Sequence, residues 1–133
     1  MRVFLDTNVL VSAFATRGLS ADLFELVLIE HEFITGRAVL GELDKALRVK
    51  IKLPAVRCAE ILEFVVGEAE FVAEEAQKAN CDADDDDRRV LGEALAGNAD
   101  VFVTGDAAVA AIKKLATMRI LTPRQLWEAL RAP

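Results

Sequence analysis

The chain has no tyrosine, one tryptophan, one histidine and two cysteines, and each scarcity removes a class of function. The single histidine, His31 in IEHEF, leaves no Ser-His-Asp or Cys-His catalytic set, and its place between a helix and a strand marks it as a surface residue. Cys58 and Cys81 are far apart and match no metal-ligand spacing, so free, buried thiols in a reducing cytoplasm are expected. No apolar run approaches the roughly 18 residues of a membrane span. MRVFLD reads as a strand and not as a charged and apolar leader. Few aromatics are available to stack against nucleic-acid bases.

Apolar residues are plentiful. At 53% of 133 residues they can bury a real core, and one domain over residues 1–133 is expected, with no repeats or low-complexity linkers. The net charge of −6 argues at first sight against a polyanionic partner. Yet Asp6, Glu42, Asp84, Asp85, Asp86, Asp87 and Asp106 are candidates for one site, and setting those seven aside turns −6 into +1. Divalent cations there would reverse the local field, so a polyanionic substrate stays open.

Short apolar runs alternate with helical periodicity. Val3-Phe4-Leu5, Phe33-Ile34-Thr35, Glu70-Phe71-Val72, Val101-Phe102-Val103 and Arg119-Ile120-Leu121 read as strands, the third weakly. Helices are expected through Val11 and Phe14, from a Ser20 cap through Leu28, and over Gly36 to Arg48. Others should start at Pro54, follow the aspartates as far as Gly97-Asn98, and run briefly through Ile112 and Leu115. Thr122-Pro123-Arg124-Gln125 opens the last with a cap, an N-terminal proline and a capping-box glutamine. Alternation of this kind makes an α/β sandwich with a mainly parallel sheet. Ligands bind such sheets beyond the carboxyl ends of the strands, where Asp6 and Asp106 fall.

NCDADDDDRRVL, residues 80–91, asks the sharpest question, because five of the six positions from Asp82 to Asp87 are aspartate. One or two acids suit a helix N-terminus, but four in a row repel one another beyond what the dipole of the first turn offsets. An EF-hand would use Asp82, Asp84, Asp86 and Glu93, but its obligatory glycine is Asp87 here, and Arg88 and Arg89 would intrude. A solvated acidic loop and a catalytic metal site remain. Glu42 lies about 100° from the middle of its helix's apolar stripe, at the border where a carboxylate can point into a cleft or simply face water. Without an organic base, hydrolysis would need a metal, and hard carboxylates select Mg²⁺ or Mn²⁺.

VFLDTNVLVSAF resembles the opening of PIN-domain nucleases, ALAGNADVFVTGD resembles their second signature, and LGEL around Glu42 resembles their helical acidic motif. The resemblance runs along nearly the whole chain, down to ILTPRQL, and is nearest to the small toxin components (VapC-like) of toxin–antitoxin pairs. It implies a PIN-like three-layer α/β/α sandwich with four to five strands, and a cytoplasmic Mg²⁺- or Mn²⁺-dependent endoribonuclease. Implied partners are single-stranded or structured RNA, a cognate antitoxin and a second copy in a homodimer. Residue by residue, Asp6, Glu42 and Asp106 become metal-site acids, with Asp87 the fourth. Asn8 and Thr104 become their orienting polar groups, and Asp84 a supporting acid.

Two positions depart from the family pattern: Arg88 stands where an Asp or Asn is usual, and Ala108 where an acid often follows Asp106. They leave room for a catalytically weakened, protein-binding descendant. An aspartate-based phosphohydrolase using Asp6 as nucleophile is a further alternative, though that class wants a second aspartate where Asn8 stands. The basic segment from Lys45 through Arg48, Lys50 and Lys52 to Arg57 is a candidate backbone-contact face or a solvated helix end.

Overall fold

Three residues with no solvent exposure, Val3, Phe4 and Leu5, form the middle of the sheet in strand β1 (Arg2–Leu5). The computed structural model describes residues 1–72 and 76–131. After β1 come helices α1 (Thr7–Ala15) and α2 (Leu19–Glu30), strand β2 (Glu32–Gly36) and helix α3 (Arg37–Lys45). A π-helical turn, Ala46–Lys50, leads to α4 (Ala55–Glu68) and β3 (Glu70–Val72). The second half holds α5 (Asp85–Ala96), β4 (Val101–Val103), α6 (Ala107–Ala110), β5 (Lys114–Leu115), β6 (Met118–Leu121) and α7 (Pro123–Arg131).

The strand order is β3-β2-β1-β4-β6-β5, parallel throughout except for the β5–β6 pair at the edge. Phe4 pairs with Ile34 on one side and Phe102 on the other, and the two phenyl rings stack at 5.6 Å. Strands buried on both faces need apolar residues at successive positions, which is why VFL and VFV read as continuous runs. Connections from β1 to β2 to β3 step one way across the sheet, and those from β3 to β4 to β6 step the other way. Right-handed crossovers therefore put α1–α4 on one face and α5 and α6 on the other, completing an α/β/α sandwich. Among the described residues no helix is long and apolar enough to cross a membrane.

Several local expectations are corrected. The sheet has six strands among the described residues instead of four or five, because Lys114–Leu115 pairs with Met118–Leu121 as a hairpin. The expected helix through Ile112 and Leu115 stops at Ala110. Left-handed backbone at Lys113 (φ 69°) and Ala116 (φ 51°) turns the chain back on itself. Apolar residues three apart suit a helix, and equally a turn followed by a short strand. Ser20 lies inside α2, whose N-cap is Gly18 with no side-chain bond. Of the two free thiols, Cys58 is buried and Cys81 only half-buried. The capping box does form: Thr122 N–H donates to Gln125 Oε1 at 2.9 Å, and Gln125 N–H to Thr122 Oγ1 at 3.2 Å.

Candidate active site

The strand order reverses between β1, which leads toward β2, and β4, which leads toward β6. A crevice opens beyond the carboxyl ends of strands at such a point. Asp6 is the residue after β1, and Thr104-Gly105-Asp106 follows β4. Chain order thus brings two acids a hundred residues apart to one edge.

Asp6 is buried, with 7% of its surface exposed. Its Oδ1 accepts the Thr7 N–H at 2.8 Å, capping α1. Its Oδ2 accepts from Thr104 Oγ1 at 2.8 Å and from Asn8 Nδ2 at 3.2 Å. Burial pushes its carboxyl up and the Asp106 charge adds to this, while the three hydrogen bonds pull the other way. Thr104, fully buried, also accepts the Asp106 N–H at 3.0 Å. Asn8 Oδ1 accepts the Gly105 N–H at 2.8 Å. Asn8 and Thr104 therefore staple the ends of β1 and β4 together and aim Asp6.

Glu42 is half-buried in the second turn of α3, and its Oε2 accepts the Thr7 hydroxyl at 2.6 Å. Burial raises its carboxyl above the ordinary range, and the charges of Asp6, Asp86 and Glu93 push the same way. Asp84 caps α5, its Oδ1 accepting the Asp87 N–H at 2.8 Å. Asp87, in the first turn, is pushed up to about 6 by burial and by the charges of Asp84, Asp6 and Asp106. Asp106 is exposed and caps α6, its Oδ1 accepting N–H groups of Ala108 at 2.8 Å and Val109 at 3.3 Å.

Asp6, Glu42 and Asp87 line one cleft of about 620 Å³; Asp106 is not among the lining residues, and its charge acts on Asp6 and Asp87. Among the described residues none of these four acids has a salt-bridge partner. No three His, Cys, Asp or Glu side chains there converge into a ready-made metal cage. The donors on offer are all carboxylate oxygens, a set that suits a hard divalent cation. Away from the acids, the cleft runs between Val11 and Ala15 of α1 and Ala46 and Val49 of the π-helical turn, with Lys45 and Lys50 along it. The basic segment thus divides: Lys45 and Lys50 line the cleft, Arg48 pairs with Asp44, and Arg57 pairs with Glu60.

Arg88 turns away from the acids. Its Nε donates to the Ala79 carbonyl at 2.8 Å, and the Ala79 N–H donates to the Arg88 carbonyl at 2.8 Å, fastening the incoming loop to α5. Asp85 is likewise drawn outward, with Lys78 at 3.4 Å and Arg88 at 3.5 Å. Asp86 is exposed, yet its charge reaches Glu42. No part was expected of Thr7, which holds Glu42, and Glu93 figured only in a rejected calcium pattern. Glu93 did leave a signal: it is an acid three residues from Val90 on the buried stripe of α5.

Fold and site together define an α/β/α protein with an acidic crevice at the switch point of its sheet. Residues 2–108 match the PIN-domain family, and the chain belongs to that family, whose members are nucleases. A solved structure of similar fold is a chain of VapBC2 from Rickettsia felis, crystallised bound to a DNA fragment from their promoter. The TM-score is 0.66 at 17% identity, over 92% of this chain and 98% of that one. No curated protein matches the chain.

Proposed function

We propose that this protein is a Mg²⁺- or Mn²⁺-dependent endoribonuclease, the toxin of a cytoplasmic toxin–antitoxin pair. The observation that carries this is a cleft lined by Asp6, Glu42 and Asp87 from three separate elements, with the Asp106 charge acting on it and, among the described residues, no cationic side chain paired to any of the four. Burial and the charges of Asp84, Asp6 and Asp106 lift Asp87 to about 6, a cost that a bound cation would offset.

Asp6, Glu42 and Asp87 would hold the cation, with the Asp106 charge adding to the attraction. When bound, the cation neutralises charge on a phosphodiester and acidifies a water. The chain's own part is orientation: Thr104 and Asn8 fix Asp6, Thr7 fixes Glu42, and Asp84 fixes the backbone at Asp87. Lys45 and Lys50 supply positive charge further along the cleft, where flanking phosphates of an RNA strand would lie. A cognate antitoxin, homodimer formation and the single domain belong to the same proposal; the VapBC2 likeness supports the antitoxin.

The Arg88 guanidinium serves the Ala79 loop, and the Asp or Asn usual at position 88 and the acid frequent at 108 are absent, so the catalytically weakened, protein-binding descendant stays the second reading. The test is a side-by-side assay with Mn²⁺ on single-stranded RNA and on a small phosphomonoester. Internal RNA cleavage is expected. Turnover of the monoester alone would favour the phosphohydrolase, and turnover of neither the protein-binding module.

A further inference from the structure

We infer that Glu93 is a positioning residue for the metal site: it joins the two acid-bearing helices, α3 and α5, and so sets where Glu42 stands relative to Asp87. The inference rests on the metal-site assignment made above.

Glu93 belongs to α5, six residues beyond Asp87, and only 6% of its surface is exposed. It points across to the first turn of α3, where Oε2 accepts the Ala38 N–H at 2.9 Å. Helix α3 needs this, because its N-cap is Gly36, which offers no side chain, and its own first turn holds no acid. The first N–H groups of a helix are orphans that must find an acceptor when buried. Here the acceptor is borrowed from another helix.

Gly36 makes room for that carboxylate. A Cβ at this position would lie 2.5 Å from Glu93 Cδ and Oε1, and 2.8 Å from Oε2, so the side chain occupies the space a larger residue would fill. The arrangement is not the cheapest available. Glu93 Oε1 is buried without a hydrogen-bond partner among the described residues, and the Glu93 charge repels Glu42. An ordinary side-chain cap on α3 itself would avoid both costs. What the borrowed cap adds is a rigid link between α3 and α5, and groups behind metal ligands act by fixing ligand orientation.

The experiment is Mn²⁺ titration by calorimetry of wild type, Glu93→Gln, Glu93→Ala and the remote core variant Leu126→Ala. Glu93→Ala should weaken Mn²⁺ binding by about tenfold or more. Glu93→Gln, which keeps the shape but presents one acceptor and one donor, should fall between it and wild type. Leu126→Ala should lower the melting temperature and leave the Kd unchanged. Wild-type affinity in folded Glu93 variants would overturn the inference and spare the metal site. A wild type that binds no Mn²⁺ overturns both. Hydrogen exchange on the wild type adds a check free of substitution: strong protection of the Ala38 amide is expected, and fast exchange there contradicts the link.

Discussion

Thr104 donates its hydroxyl to Asp6 Oδ2 at 2.8 Å while accepting the Asp106 backbone N–H at 3.0 Å, so one buried side chain serves acids from two strands. Thr104→Val keeps the shape and removes both bonds. It should cut RNA cleavage by about 10–100-fold, as loss of groups behind metal ligands does. Its stability cost should be only of order 1 kcal/mol. Cleavage rates and denaturant midpoints measure the two; unchanged turnover would mean that Asp6 needs no orienting.

The acids make stability depend on pH with a definite sign. Asp87, raised in the folded protein from 3.8 to about 6, holds its proton more tightly folded than unfolded. Its contribution is therefore fully present below 3.8 and lost as pH rises through about 6. Asp6 and Glu42 are raised as well and act in the same direction. Melting of wild type and Asp87→Asn from pH 3.5 to 7.5 should show the variant gaining on wild type across that window. At pH 7, Mn²⁺ at about 100 times its Kd should restore roughly 2.7 kcal/mol to wild type and less to the variant. A constant difference at all pH values would contradict the crowding of charge.

The four aspartates from Asp84 to Asp87 should respond unequally to replacement by asparagine. Asp87 lines the cleft, and its loss should lower cleavage by roughly a hundredfold. Asp84→Asn keeps a capping oxygen and should fall in between. Asp85, tied to Lys78 and Arg88, should matter little. Asp86, whose charge reaches Glu42, should have a small effect of its own. Relative rates at fixed Mn²⁺ decide it, and four equal, mild losses would make the run only an electrostatic collar.

Much of this architecture was legible in the chain. VFL and VFV are apolar at every position because both faces of their strands are covered, and the acids sit one and three residues beyond them. Helical angle placed Glu42 at a border, and the border faces the cleft. What stayed hidden depends on approach between elements. Thr7 touches Glu42 across 35 residues and Glu93 reaches Ala38 across 55, and no local periodicity encodes such meetings. The β5–β6 hairpin was missed for a different reason, since left-handed backbone at a lysine and an alanine has no compositional mark.

Lys45 and Lys50 line the same cleft as the acids, further along it, and no ion pair involves either among the described residues. Lys45→Ala and Lys50→Ala should raise KM for RNA more than they lower kcat. Each should also reduce the slope of log affinity against log salt by about 0.7, the value for one phosphate contact on a single strand. Arg57→Ala, which removes an exposed residue paired with Glu60, is the control and should do neither. Equal salt slopes in all three would take the strand off this path.

The most direct measurement is cleavage of a mixed RNA pool by wild type, Asp6→Asn and Asp106→Asn, each with Mn²⁺ and with Mn²⁺ plus excess EDTA. Wild type should cut internally only when the cation is free. Both variants should be inactive by at least about a hundredfold while keeping the wild-type circular dichroism spectrum. Cleavage that persists in EDTA, or that survives in Asp6→Asn at equal concentration, would contradict a metal-dependent site built on these acids.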